Sequence, residues 1–254
     1  MSVLLGNKVT EAEVLAVPQV PWTKTFHPVH HEDVIHAVKQ AISLVNMDIE
    51  EVEYVLDKDG KRFFALYTLN QGTSELRWSV GVRNALDKSM SLGFVFGSKI
   101  LVCSNMAFSG DQIVLRRHTS GLDHDELGFL AYKSFKKMIP LLKQFERWHL
   151  SLREFSLSEI DSRVLLVEIM ANSVIPASKF HAFNDLYHNT YDPSLWGFHE
   201  AVTDVLKGNN LLNLPKKNQV LNQILNNYIS TLESANCNRS SAMGDFYQQR
   251  NAVA

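Results

Sequence analysis

Apolar positions recur at intervals of three and four residues between 31 and 45. Val34, Ile35, Val38, Ala41 and Ile42 make one face, which predicts a first helix. The period then changes to two. Val52, Tyr54 and Leu56 alternate over 51–57, a second strand is predicted over 62–69, and 75–83 is the cleanest alternation in the chain. In that third strand Leu76, Trp78, Val80 and Val82 point one way, and Arg77, Ser79, Gly81 and Arg83 the other. Lys58-Asp59-Gly60 and Gln71-Gly72-Thr73-Ser74 supply turn residues between the strands, so short loops predict an antiparallel meander. Further on, 87–93 reads as a short helix or loop. A short buried strand is predicted over 99–103, with 113–117 as its partner across a turn at Gly110-Asp111.

From Asp123 the pattern turns helical. Leu127, Ala131, Ser134, Met138, Phe145 and Trp148 lie on one stripe, with Pro140 inside it predicting a kink or split near Lys136. Ser158 and Asp161 resemble a capping box ahead of a helix over 164–171, which Pro176 closes. Helices are predicted over 194–207, ending at Gly208, and over 214–232. Residues 1–28 carry Pro18, Pro21 and Pro28 and read as an irregular arm that Trp22 and Phe26 pin to the body. Residues 234–254 lose the periodicity and read as a polar tail. A single domain over 29–233, β-rich to about 118 and helical after it, is therefore expected. Its class is α+β, a central antiparallel sheet with a helical C-terminal half.

Composition narrows the class without naming a reaction. The chain has 254 residues, 45% of them hydrophobic, which is enough apolar material for a folded core. Lys plus Arg number 25 against 27 Asp plus Glu, which excludes a globally basic protein but not a local basic face. Cys103 and Cys237 stand far apart with no Cys-x-x-Cys, so reduced thiols and a cytoplasmic setting are expected and thiolate zinc is not. No N-terminal signal pattern and no apolar run of spanning length occurs, so no membrane role is expected.

Candidate chemistry is sparse. His27, His30 and His31 cluster beside Glu32 and Asp33, but adjacent histidines diverge and a helix N-terminus accounts for the acids. No metal site and no cofactor is expected. Cys103 and His118 are the candidates for nucleophilic catalysis, since a hairpin could bring them together; a buried core cysteine is the competing reading. The richest constellation is cationic. Arg77 and Arg83 share the polar face of one strand, Lys88 follows, and Arg116, Arg117 and His118 end another. Lys133, Lys136, Lys137, Lys143 and Arg147 project from the long helix. Eight Lys/Arg face four Asp/Glu over 113–153, whereas 48–59 holds six acids and one Lys, so a near-neutral total hides a basic later segment. Such a face could track a phosphodiester backbone, with Trp78 or Tyr67 stacking bases if exposed; a solvated charged surface is the plainer alternative.

Several segments resemble a known family. They are Arg83-Asn84-Ala85-Leu86-Asp87-Lys88-Ser89, Gly97, Val102-Cys103-Ser104-Asn105, Ser109-Gly110 and Arg117-His118-Thr119. Their order is similar to that of the domain-of-unknown-function 932 family of phage- or plasmid-like proteins. Trp196-Gly197-Phe198-His199-Glu200-Ala201-Val202-Thr203 resembles the family's later aromatic segment, so the likeness covers roughly residues 15–210. Ala85 stands where the family pattern has Ser, so no hydroxyl is essential there. The resemblance implies a mobile-element origin in a bacterial cell and no defined activity. It singles out Arg83, Asn84, Lys88, Cys103, Asn105, His118 and Thr119, although Asn84 and Asn105 could equally satisfy turn backbones. The element order is also similar to the core of phage single-strand annealing proteins.

The expected function is non-enzymatic nucleic-acid binding by a phage or plasmid protein, with single-strand binding or annealing in recombination as its specific form. The expected interface is Arg77, Arg83, Asn84, Lys88, Arg116, Arg117 and His118. The alternatives are a protein-binding module that inhibits a host defence system, and a cysteine-dependent enzyme. The expected partner is nucleic acid or a host protein, and association into a homo-oligomer is compatible with either.

Overall fold

The computed structural model describes residues 7–73, 76–100, 105–207 and 214–251, and side chains outside 98–113, 215 and 235–251. The α+β class holds. A six-stranded antiparallel sheet runs in chain order, β1 (Asn7–Val9), β2 (Ile49–Leu56), β3 (Arg62–Gly72), β4 (Leu76–Ala85), β5 (Leu92–Ile100) and β6 (Asn105–Arg116). Helices α1 (Glu11–Leu15) and α2 (His31–Leu44) precede the meander. Helices α3 (His124–Ser151), α4 (Glu159–Ala171), α5 (Phe180–Asn189), α6 (Leu195–Val205) and α7 (Leu214–Asn251) follow it. No described helix is long and apolar enough to cross a membrane.

The sheet is covered on both faces. Tyr54, Phe63, Tyr67, Trp78, Val80, Phe94 and Phe96 make the first face, and α2 and α3 lie side by side across it. Val55, Leu66, Phe64 and Val95 make the second, which joins the core built by α4 to α7. The face of β4 expected to be polar and wet therefore lies inside. Ser79 is fully buried and Arg83 half-buried. Small residues suit close packing here, because a Cβ on Gly81 would lie 2.6 Å from Val95 Cγ1.

Other differences have local causes. The N-terminal arm is not wholly irregular. β1 pairs with β2, and α1 is docked where Glu11 accepts hydrogen bonds from Lys39 Nζ at 2.6 Å and Tyr54 Oη at 2.8 Å. Phe26 is buried as expected, but Trp22 is 73% exposed, with its ring tilted against His27 at 5.2 Å between ring centres. β5 begins at Leu92, where a loop or short helix is expected, because Phe94 and Phe96 enter the first core. Gly110 and Asp111 lie within β6 rather than in a turn; the residues joining the two strands, 101–104, lie outside those described.

α3 passes through Pro140 without splitting. Phe135, Met138, Leu142 and Phe145 are buried on either side, and that packing outweighs the lost backbone hydrogen bond. α5 has no counterpart in the sequence reading, and its Phe183 and Tyr187 stack into the second core. The helical backbone of α7 continues to Asn251, through a stretch read as a polar tail. The turn at Gly60 (φ 67°) and the Ser158 cap, accepting from Asp161 N at 3.1 Å, agree with expectation.

The start of α6 is closely packed against backbone. A Cβ on Gly197 would stand 2.1 Å from the Asp192 carbonyl oxygen, whereas one on Gly128 of α3 would meet only Gln40 Oε1, at 4.0 Å. Gly197→Ala is expected to cost about 3 kcal/mol or more, since backbone must move. Gly128→Ala should gain about 0.5–1 kcal/mol through helix propensity. Urea unfolding of the two variants checks the opposite signs.

Candidate functional site

The seven expected interface residues do not form one trough. Arg77 and Arg83 lie on the second sheet face, whereas Asn84 and Arg116 lie on the first, because register pairs them with Phe63 and Leu92. Arg77 is neutralised, with its Nε donating to Glu50 Oε2 at 2.9 Å and its Nη1 to the Thr73 carbonyl. Arg83 lies across Gly93 with its Nε buried and unpartnered, and burial lowers its pKa. Lys88 is exposed in a left-handed conformation (φ 65°) with Nζ 5.3 Å from the Phe26 ring centre. Arg116 reaches Glu126 at 3.9 Å, and Arg117 is exposed. Trp78 and Tyr67, named as base-stacking candidates, are both core residues. Cys103 lies outside the described residues, and so does any pairing of it with His118; the Asn105 side chain lies outside them too.

Asn84 and His118 have a different role in the geometry. The Asn84 amide donates to the Val29 carbonyl at 2.8 Å and to His31 Nδ1 at 3.0 Å. His31 Nε2 in turn donates to the Gly60 carbonyl at 3.0 Å, so the neutral tautomer satisfies both ring nitrogens. His118 Nδ1 accepts from Val29 N at 3.2 Å, and its carbonyl accepts from His27 N. These bonds fasten the chain entering α2 to β4, to the β2–β3 turn and to the end of β6. His27, His30 and His31 accordingly diverge. His27 meets Trp22, His30 precedes α2 without a side-chain cap bond, and His31 is buried.

Two features remain. The first is the outer face of α3. Lys133, Lys136, Lys137, Lys143 and Arg147 are all exposed, with no ion pair among the described residues. Their spacing places them within one third of the helix circumference, along about 21 Å at 1.5 Å per residue. Phe129, 59% exposed, lies on the same stripe, with Lys133 Nζ 5.8 Å from its ring centre.

The second feature is wholly buried. His149 from the last turn of α3 meets His199 and Glu200 of α6, all three with no exposed surface. His149 Nε2 lies 2.9 Å from Glu200 Oε1 and 3.3 Å from His199 Nδ1, and His199 Nδ1 lies 3.1 Å from the same carboxylate oxygen. Burial pushes the Glu200 carboxyl up, but the hydrogen bonds to the two imidazoles outweigh it and hold the group down at about 2. Burial also lowers the pKa of His149. Phe145, Trp148 and Trp196 surround the pair of imidazoles.

Nothing in the sequence reading singled out this cluster as a site, because 50 residues separate His149 from His199. A signal was present all the same. His149 continues the buried spacing of Met138, Leu142 and Phe145, and His199-Glu200 interrupts the apolar run from Leu195 to Val202.

The His31 knot carries a pH dependence. Burial pushes its imidazole from 6.5 to about 4, opposed by the Gly60 carbonyl and Asp57 and reinforced by His30 and His118. The unfolded chain takes up this proton near pH 6.5 and the folded chain only near 4, so stability falls as pH drops through that window. His31 contributes about 3 kcal/mol of that loss. Urea midpoints at pH 7 and 4.5 should fall further for the wild type than for His31→Phe; equal slopes would refute the assignment. Comparison with known proteins adds no identity, since no family model, no curated protein and no solved structure matches the chain.

Proposed function

We propose that this protein binds nucleic acid without catalysing a reaction, and that α3 rather than the sheet supplies the contact. The observation that carries the reading is the stripe of five exposed, unpaired cations on α3. A flexible phosphodiester chain can follow such a row, releasing counterions as each phosphate is neutralised. Phe129, in line with the cations, favours single strands, whose bases are free to stack on an exposed ring. The phage or plasmid setting suggested by the family resemblance is consistent with strand binding or annealing in recombination. Arg77 adds little to this reading, because Glu50 already answers its charge.

A second reading, a protein-binding module directed at a host protein, draws on a separate feature. Ile160, Val164 and Val167 of α4 are 61–75% exposed at helical spacing, an apolar row that a partner helix could cover.

Gel-shift titrations with a single-stranded oligonucleotide test the first reading. Five phosphate contacts predict a slope of log K against log salt of about −3.5, a loss of roughly a hundredfold between 50 and 200 mM salt. Lys136→Ala, Lys137→Ala and Lys143→Ala together should reduce that slope by about 2. Absence of binding at low salt would sink the reading. Binding that follows Arg77→Ala or Arg83→Ala, while ignoring the lysine variants, would return the interface to the sheet.

A further inference from the structure

We infer that His149, His199 and Glu200 form a closed binding site for a divalent first-row transition metal that clasps α3 to α6. This assignment is independent of nucleic-acid binding. Three ligand atoms from two helices converge on one point, with separations of 2.9, 3.1 and 3.3 Å. A cation at the ~2.0–2.2 Å reach of imidazole nitrogen and carboxylate oxygen sits about 1 Å above the plane of that triangle. The donor set, two imidazoles and a carboxylate, suits zinc, iron(II), cobalt(II) or manganese(II) rather than magnesium or calcium.

Hydrogen bonding alone serves this geometry poorly. Both ring nitrogens face the same Glu200 oxygen, so two N–H groups would crowd their hydrogens between nitrogens only 3.3 Å apart. Without those hydrogens, two lone pairs would face an anion, and with a single hydrogen one bare ring nitrogen would still stand about 3 Å from the carboxylate oxygen. A cation between the three atoms relieves each of these arrangements and offsets the cost of a carboxylate with no exposed surface.

The outer nitrogens, His149 Nδ1 and His199 Nε2, are buried without a hydrogen-bond partner. The rings are positioned instead by aromatic neighbours. Trp196 lies edge-on to His149 at 6.3 Å between ring centres, and Trp148 edge-on to His199 at 6.0 Å. Such a shell holds the imidazoles in place. With no exposed surface at any ligand, the site cannot receive a substrate, and its role is structural. It links the long helix that lies over the first core to the helix at the heart of the second.

The full chain serves for the test. Unfolded in urea with a chelator, it is refolded with or without Zn²⁺ or Co²⁺ and then desalted. One equivalent of metal should be retained per chain. The Co²⁺ form should show a visible ligand-field band that Zn²⁺ abolishes. Free metal at a hundred times Kd should raise Tm by about 5–10 °C over the chelator-refolded chain. Glu200→Gln and His199→Asn should lose the metal, whereas His181→Ala and His188→Ala, at exposed positions, should keep it. Failure of the wild type to retain metal, or unchanged retention in both ligand variants, would overturn the assignment. Should the ligand variants not fold, X-ray absorption of the Zn²⁺ form decides: two imidazoles and an oxygen ligand support the site, and any shell without two imidazoles refutes it.

Discussion

A sheet with apolar side chains on both faces must be covered twice, and this requirement organises the molecule. α2 and α3 cover one face, and the four later helices cover the other. Burial of Phe63, Tyr67, Phe94 and Phe96 on the first side and of Val55 and Leu66 on the second is worth about 1.5–3 kcal/mol for each large side chain. Against that, the polar alternation of β4 carries little weight. Ser79 is taken inside with its hydroxyl hydrogen-bonded to the Arg77 carbonyl, and Arg83 keeps a half-buried guanidinium over a glycine that leaves room for it.

Double coverage also decides where charge can act. Cations on the sheet are separated by the sheet itself or answered by nearby carboxylates, as Arg77 is by Glu50. α3 differs because only one side of it is needed for packing. Leu127, Ala131, Phe135, Met138, Leu142 and Phe145 fill the inner side, and every lysine is pushed to the outer one. The basic stripe follows from amphipathic geometry as well as from composition.

Two polar knots tie the layers together. Around His31, an amide, two imidazoles and three carbonyls hold the entry of α2 against β4, β6 and the Gly60 turn. Around His149, two imidazoles and one carboxylate hold α3 against α6. Each replaces apolar packing by directional bonds at a place where helices of the two coverings start or end. Directional bonds specify one register there, whereas apolar contacts would tolerate several.

Much of the architecture is legible in the chain. Period-two alternation in 51–57 and 75–83, turn residues at Gly60, and three-four spacing in α2 and α3 are local signals, set by backbone geometry and side-chain size. The long β5–β6 pair was less legible, because Gly93 and Gly97 resemble loop composition and Phe94 and Phe96 show their role only once the first core closes over them. Whether a polar face is wet is not a local property. Ser79, Asn84 and His118 look like surface residues in sequence and became interior ones only when the helices closed over the sheet. The meeting of His149 with His199 and Glu200 is likewise tertiary: one residue ends α3, the others stand early in α6, and only the packing of those two helices brings their nitrogens and oxygen within 3.3 Å of one another.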